Sequence, residues 1–171
     1  MTAARATLLG ALVCAAVICQ AVVFRFVAID GVVPNLALIV VVAAAIARGP
    51  KFAMVLGFAA GLLLDLAPPA DHVAGRWALA LVVVGYLAGR VQRDARSSTV
   101  TAVLVVGAAS FVGTSVYALT GILLDDAALP LDQMLQVIVI SVLWDLMLAP
   151  FLVPLLLWMM DQPRPVRGMP A

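Results

Sequence analysis

The chain has 171 residues, 65% of them hydrophobic and 11% charged, with a formal net charge of +1 and a mean hydropathy of +1.19. Soluble domains carry roughly 25% charged residues, and a chain this short has too little interior to hide so much apolar surface from water. The composition excludes a soluble globular protein and points to lipid as the solvent, with residues 1–171 forming a single all-α membrane domain.

A helix needs roughly 17–25 residues, at about 1.5 Å each, to cross the hydrocarbon core. The first span is expected at residues 7–27. Arg5 precedes its apolar run, as in a secretory signal, but the run is longer than a signal's apolar core and lacks a convincing cleavage site, so it reads as a retained helix. Cys14 and Cys19 lie inside it, and their spacing places them on different helix faces. That argues against an intrahelical disulfide and for two small apolar fillers. Arg25 is placed to reach the outer surface.

Pro34-Asn35 opens the second span, residues 33–47, and Arg48-Gly49-Pro50 stops it; proline suits a first helical turn. The third span, residues 51–66, ends at Pro68-Pro69. Residues 76–92, 98–124 and 131–160 make the fourth, fifth and sixth. Spans two to four are short, which predicts little tilt or shielding by neighbours. Pro150 and Pro154 are expected to bend the last span.

Six spans bring both termini to one side, and the basic residues say which. Arg5, Arg48, Lys51, Arg90, Arg93, Arg96, Arg164 and Arg167 fall on the side of the termini, against Arg25 and Arg76 on the other. The acids Asp30, Asp71, Asp125, Asp126 and Asp132 are biased the opposite way. Positive charge is held in the cytoplasm, so the N- and C-termini are expected there.

Little in the chain suits an enzyme. The single histidine, His72, sits in an outer loop beside Asp71 and reads as solvated. Neither a Cys/His cluster with metal-ligand spacing nor a glycine-rich phosphate cradle is present, and no basic patch with interleaved aromatics suggests nucleic acid. The expectation is no catalytic activity, no cofactor and no metal.

Two sets of polar residues stand out. Asp145 lies about 20 Å down the sixth span at about 1.5 Å per residue, near the bilayer midplane, where a carboxyl must face protein. On the fifth span Gly107, Ser110, Thr114, Tyr117 and Gly121 recur at three- and four-residue steps. This small and polar stripe is expected to pack against the sixth span and to supply Asp145 with partners, Ser110 and Thr114 being at its depth. The network is either internal glue or a pocket or partner contact. At the outer end, Asp65 and Arg76 are placed to form an ion pair beside Trp77. Those three either fix the turn or present a partner surface. Gly57-x-x-x-Gly61 and Gly85-x-x-x-Gly89 allow close backbone approach on successive helices.

Residues 34–89 resemble the MreD family of bacterial rod shape-determining membrane proteins. The likeness rests on Pro34-Asn35, Arg48-Gly49-Pro50, Gly57-Phe58-Ala59-Ala60-Gly61-Leu62-Leu63-Leu64-Asp65-Leu66, the Pro68-Pro69 loop, Gly75-Arg76-Trp77-Ala78-Leu79 and Val84-Gly85-Tyr86-Leu87-Ala88-Gly89. The resemblance implies a plasma-membrane subunit of the elongation complex that guides lateral peptidoglycan synthesis. Its direct partner would be an MreC-like protein, with RodA and a class B penicillin-binding transpeptidase as indirect partners and MreB in those rods that have it. It also implies a six-helix fold similar to the substrate-binding subunits of energy-coupling-factor transporters. A small-molecule-binding transporter subunit is therefore the alternative reading.

Overall fold

The computed structural model describes residues 3–68, 73–126 and 130–161, except for the side chains of residues 3–8 and 25. The expectations for His72, Asp71, Pro69, Arg164 and Arg167, and for the side chains of Arg5 and Arg25, lie outside this description.

Among the described residues the protein is helical throughout. Helix α1 spans Ala3–Val22 and is followed by a short 3-10 turn, Phe24–Val27. Then come α2 (Leu36–Arg48), α3 (Pro50–Leu66), α4 (Arg76–Arg90), the short α5 (Gln92–Ser97), α6 (Thr99–Leu123) and α7 (Leu131–Met160). Helices α6 and α7 are each long and apolar enough to cross a membrane. The fourth expected span corresponds to α4, which ends two residues early at Arg90 and is followed by the separate α5.

Helix α2 is the axis of the bundle. Its sequence, LALIVVVAAAIAR, has no polar residue before its last position; a helix apolar all round suits either lipid or a protein core, and here it takes the core. Residues Leu36 to Ile46 are all buried, most of them at 0% exposure, among α1, α3, α4, α6 and α7. At about 1.5 Å per residue its 13 residues are only ~20 Å long. It follows a tight turn in which Asp30 and Gly31 both have positive φ (49° and 78°) and Ile29 and Val32 exchange backbone hydrogen bonds. That is the geometry an Asp-Gly pair favours. From there residues 33–35 lead into the bundle before α2 starts.

Helices α3 and α4 form the closest pair because glycine faces backbone across the seam. A Cβ added at Gly85 would lie 2.7 Å from the Ala53 carbonyl oxygen. Additions at Gly57, Gly61 and Gly89 would collide with the backbone of Leu81, Ala78 and Pro50 respectively. Both small-residue motifs therefore serve this intramolecular contact.

Candidate functional site

Two buried carboxylates organise the interior, and each closes the N-terminus of a helix other than its own. Asp145, on α7, is 0% exposed. Its Oδ1 accepts the backbone N–H of Asn35 at 2.8 Å. The position is 14 residues into α7, about 21 Å from that helix's start at ~1.5 Å per residue, so α2 begins halfway down the bundle. A helix start leaves several N–H groups without partners, and here side chains of the bundle take three of them. Gln20 Oε1 accepts from Leu36 N at 3.0 Å, and the Asn35 side chain, the N-cap, accepts from Leu38 N at 2.9 Å. Asp145 completes the set, a carboxyl at the positive end of the helix dipole.

The stripe on α6 divides between two places instead of converging on Asp145. Ser110 is 0% exposed and its hydroxyl is turned toward the Asp145 carboxyl, without reaching hydrogen-bond geometry. Thr114 donates its hydroxyl to the Ser110 carbonyl of its own helix at 2.8 Å, so it does not serve Asp145. Tyr117 belongs to the far end of the bundle, with Arg76 and Trp77. Asn35 Nδ2, Ser110 Oγ and Asp145 Oδ2 have no hydrogen-bond partner among the described residues. Packing of α6 on α7 is as expected, with Gly107 against the Leu146 side chain.

The second carboxylate, Asp65 at the C-terminal end of α3, is 1% exposed. Its Oδ2 accepts from Gly75 N (2.8 Å) and Ala78 N (3.2 Å), and its Oδ1 from Trp77 N (3.1 Å). It caps α4, whose preceding residue Gly75 (φ 102°) has no side chain to do so. Arg76 is correspondingly paired elsewhere than the sequence suggested. Its guanidinium forms an ion pair with Asp126 at 2.7 Å and donates to the Tyr117 carbonyl from Nη2 (2.8 Å) and Nε (3.3 Å). It also lies 4.0 Å over the Tyr117 ring, which stacks on Trp77 at 4.4 Å. Gly121 leaves the space that the guanidinium fills, since a Cβ there would collide with Arg76 Nη2. A cation near the C-terminus of α6 is also favoured by that helix's dipole. Asp126 accepts in addition from Val73 N at 2.8 Å. Asp65, Arg76 and Trp77 do lie together, joined by Tyr117 and Asp126 into one knot tying α3, α4 and α6.

Sequence reasoning missed Asn35, Gln20 and Asp126 as members of these networks. Pro34-Asn35 marked a helix start, and Asn is a strong N-cap; the depth of that start had no local signal. Above the start of α2 lies a cavity of about 660 Å³, lined by Gln20 and Trp77 among apolar residues that include Val17, Val33 and Leu64. No group of His, Cys, Asp or Glu side chains among the described residues could hold a metal ion.

Residues 2–161 match the family model described as rod shape-determining protein MreD. No curated protein and no solved structure matches the chain.

Proposed function

The chain belongs to the MreD family of rod shape-determining membrane proteins, and from that premise we propose that it is a non-enzymatic, multi-pass subunit of the bacterial cell-elongation complex. It crosses the plasma membrane six times with both termini in the cytoplasm, and supports lateral peptidoglycan synthesis by binding an MreC-like protein. RodA, a class B transpeptidase and, where present, MreB are reached through that partner.

The observation that carries this reading is the family match over nearly the whole chain. The interior chemistry agrees with a scaffold, because both buried carboxylates are engaged by helix starts and the buried arginine by Asp126. What faces outward is apolar. Leu131, Leu135, Val139, Leu143, Met147, Phe151, Leu155 and Trp158 run exposed along α7, in a stripe that winds slowly around the helix because steps of four exceed its 3.6-residue turn. Such a stripe suits lipid or a partner's transmembrane helix.

The transporter-subunit alternative lacks comparable support. A polar substrate needs several convergent polar groups, and the cavity over α2 offers chiefly Gln20, whose oxygen already serves Leu36. The fold likeness to energy-coupling-factor subunits stays with the proposal as an expectation only.

Affinity purification of the tagged chain from its native membranes is the test. An MreC-like protein recovered in near-stoichiometric amount supports the assignment; recovery of a transporter's energising subunits in its place overturns it.

A further inference from the structure

The end of the bundle opposite Asp65 gathers cations by two close contacts at glycine. Gly89 packs on Pro50, and Gly49 leaves room for the Gln92 side chain, whose Oε1 would lie 2.9 Å from an added Cβ. The α2–α3 turn is thereby pressed onto the α4–α5 turn, which places Arg48, Lys51, Arg90 and Arg93 at one end of the molecule. Lys51, Arg90 and Arg93 are exposed and Arg48 is half-buried.

None of the four is within ion-pair distance of a carboxylate among the described residues. The acids at this end are Asp94 and Asp161, and Asp161 is taken by Arg96 at 2.9 Å. Two of the arginines are instead steadied by aromatic rings. Arg48 lies 5.3 Å over Phe52, and Arg90 lies 5.7 Å over Tyr86 while donating to its hydroxyl at 2.8 Å. Lys51 and Arg93 sit in the first turns of α3 and α5, where a cation opposes the helix dipole. Their positions serve neither helix, which leaves them open to an anion supplied from outside the chain.

The neighbouring surface says what kind of anion. Val55 lies one turn from Lys51 on the same face and is 72% exposed; Leu87 and Val91 flank Arg90 and are 45% and 39% exposed. Cations therefore border exposed apolar side chains, as they would against a molecule with a phosphate at one end and hydrocarbon at the other. An acidic protein segment would match the charge and leave the apolar rows unused.

We propose that this end of the bundle binds the headgroups of anionic phospholipids. Lys51, Arg90 and Arg93 contact the phosphate, Arg48 stands behind them, and Val55, Leu87 and Val91 meet the upper acyl chain.

The full chain, purified in an uncharged detergent, is titrated with phosphatidylglycerol or with phosphatidylcholine of the same acyl chains, and retained lipid is counted by native mass spectrometry. Phosphatidylglycerol is retained over phosphatidylcholine, and added salt weakens the retention. At about five-fold per cation near a membrane surface, K51Q/R93Q loses about thirty-fold in affinity. The charge-conserving K51R/R93K keeps it, and so does R96Q, whose arginine is already paired. Helical circular dichroism and gel-filtration position establish that each variant is folded. Equal retention of the two lipids, unchanged binding by folded K51Q/R93Q, or a poly-glutamate peptide that binds where phosphatidylglycerol does not, would each overturn the proposal.

Discussion

Asp145 and Asn35 stand 110 positions apart in the chain, yet the carboxyl of one holds the backbone N–H of the other at 2.8 Å. A helix near the C-terminus thus closes the start of the helix at the centre. Asp145→Ala leaves that buried donor unpaired, which costs about 1–3 kcal/mol. Asp145→Asn costs less, because the amide oxygen still accepts. Thermal midpoints in detergent, read by gel filtration after heating, should fall in the order wild type, Asn, Ala. An Ala variant as stable as wild type would remove the capping role.

Asp65 uses both oxygens on three N–H groups of the α4 start. Asp65→Asn keeps one accepting oxygen and loses at least one bond, at about 1–2 kcal/mol; Asp65→Ala loses all three and costs roughly twice that or more. The same melting measurement separates them. Equal loss in both variants would mean that charge, and not the bonding to α4, is what matters.

Thr114 bonds to its own helix, so Thr114→Val should change stability by less than about 1 kcal/mol. Ser110→Ala should be similarly mild, since its hydroxyl has no hydrogen-bond partner. A Thr114→Val loss as large as that of Asp145→Ala would restore Thr114 to the Asp145 network.

Glycines here divide into two kinds. Gly61→Ala drives a methyl into the Ala78 backbone and costs about 1–3 kcal/mol or more through overpacking. Gly10→Ala, in α1 with nothing within 4 Å of the added carbon, gains up to about 1 kcal/mol of helix propensity. Opposite shifts in thermal midpoint are expected, and a harmless Gly61→Ala would contradict the tight α3–α4 seam.

The proposed orientation is open to direct labelling. In a background with Cys14 and Cys19 replaced by serine, Val73→Cys, at an exposed side chain, should react with an impermeant thiol reagent on cells whose outer face is accessible. Lys51→Cys should react only after lysis. The reverse pattern would invert the topology.

Composition and hydrophobic runs located the long helices, and the bounds of α3, α6 and α7 agree closely with the expected spans. The first span, expected at residues 7–27, is instead α1 over Ala3–Val22 followed by a 3-10 turn, and α5 had no signal of its own. Partners were less legible. Asp145 was expected to face protein and is fully buried, but its main partner is a backbone N–H at a helix start, and side-chain periodicity on one helix cannot reveal where another chain segment begins inside the bundle. Tyr117 shares a stripe with Ser110, yet lies seven residues on, about 10 Å further along at ~1.5 Å per residue. That distance assigns it to the other cluster. Asp65 and Arg76 looked like a pair because they are close in sequence. Backbone donors of α4 claimed the aspartate first, and the longer arginine side chain reached across to Asp126.

Helix α2 is sheathed by protein from Leu36 to Ile46, so its length never has to match the hydrocarbon around it. A thinner or thicker bilayer is felt by α6 and α7, which can tilt or let their ends protrude. The axis keeps its register throughout. The bundle therefore combines an adjustable rim with an unyielding hub, and membranes of different thickness should change how the outer helices lean without disturbing the hydrogen bonds at the α2 start.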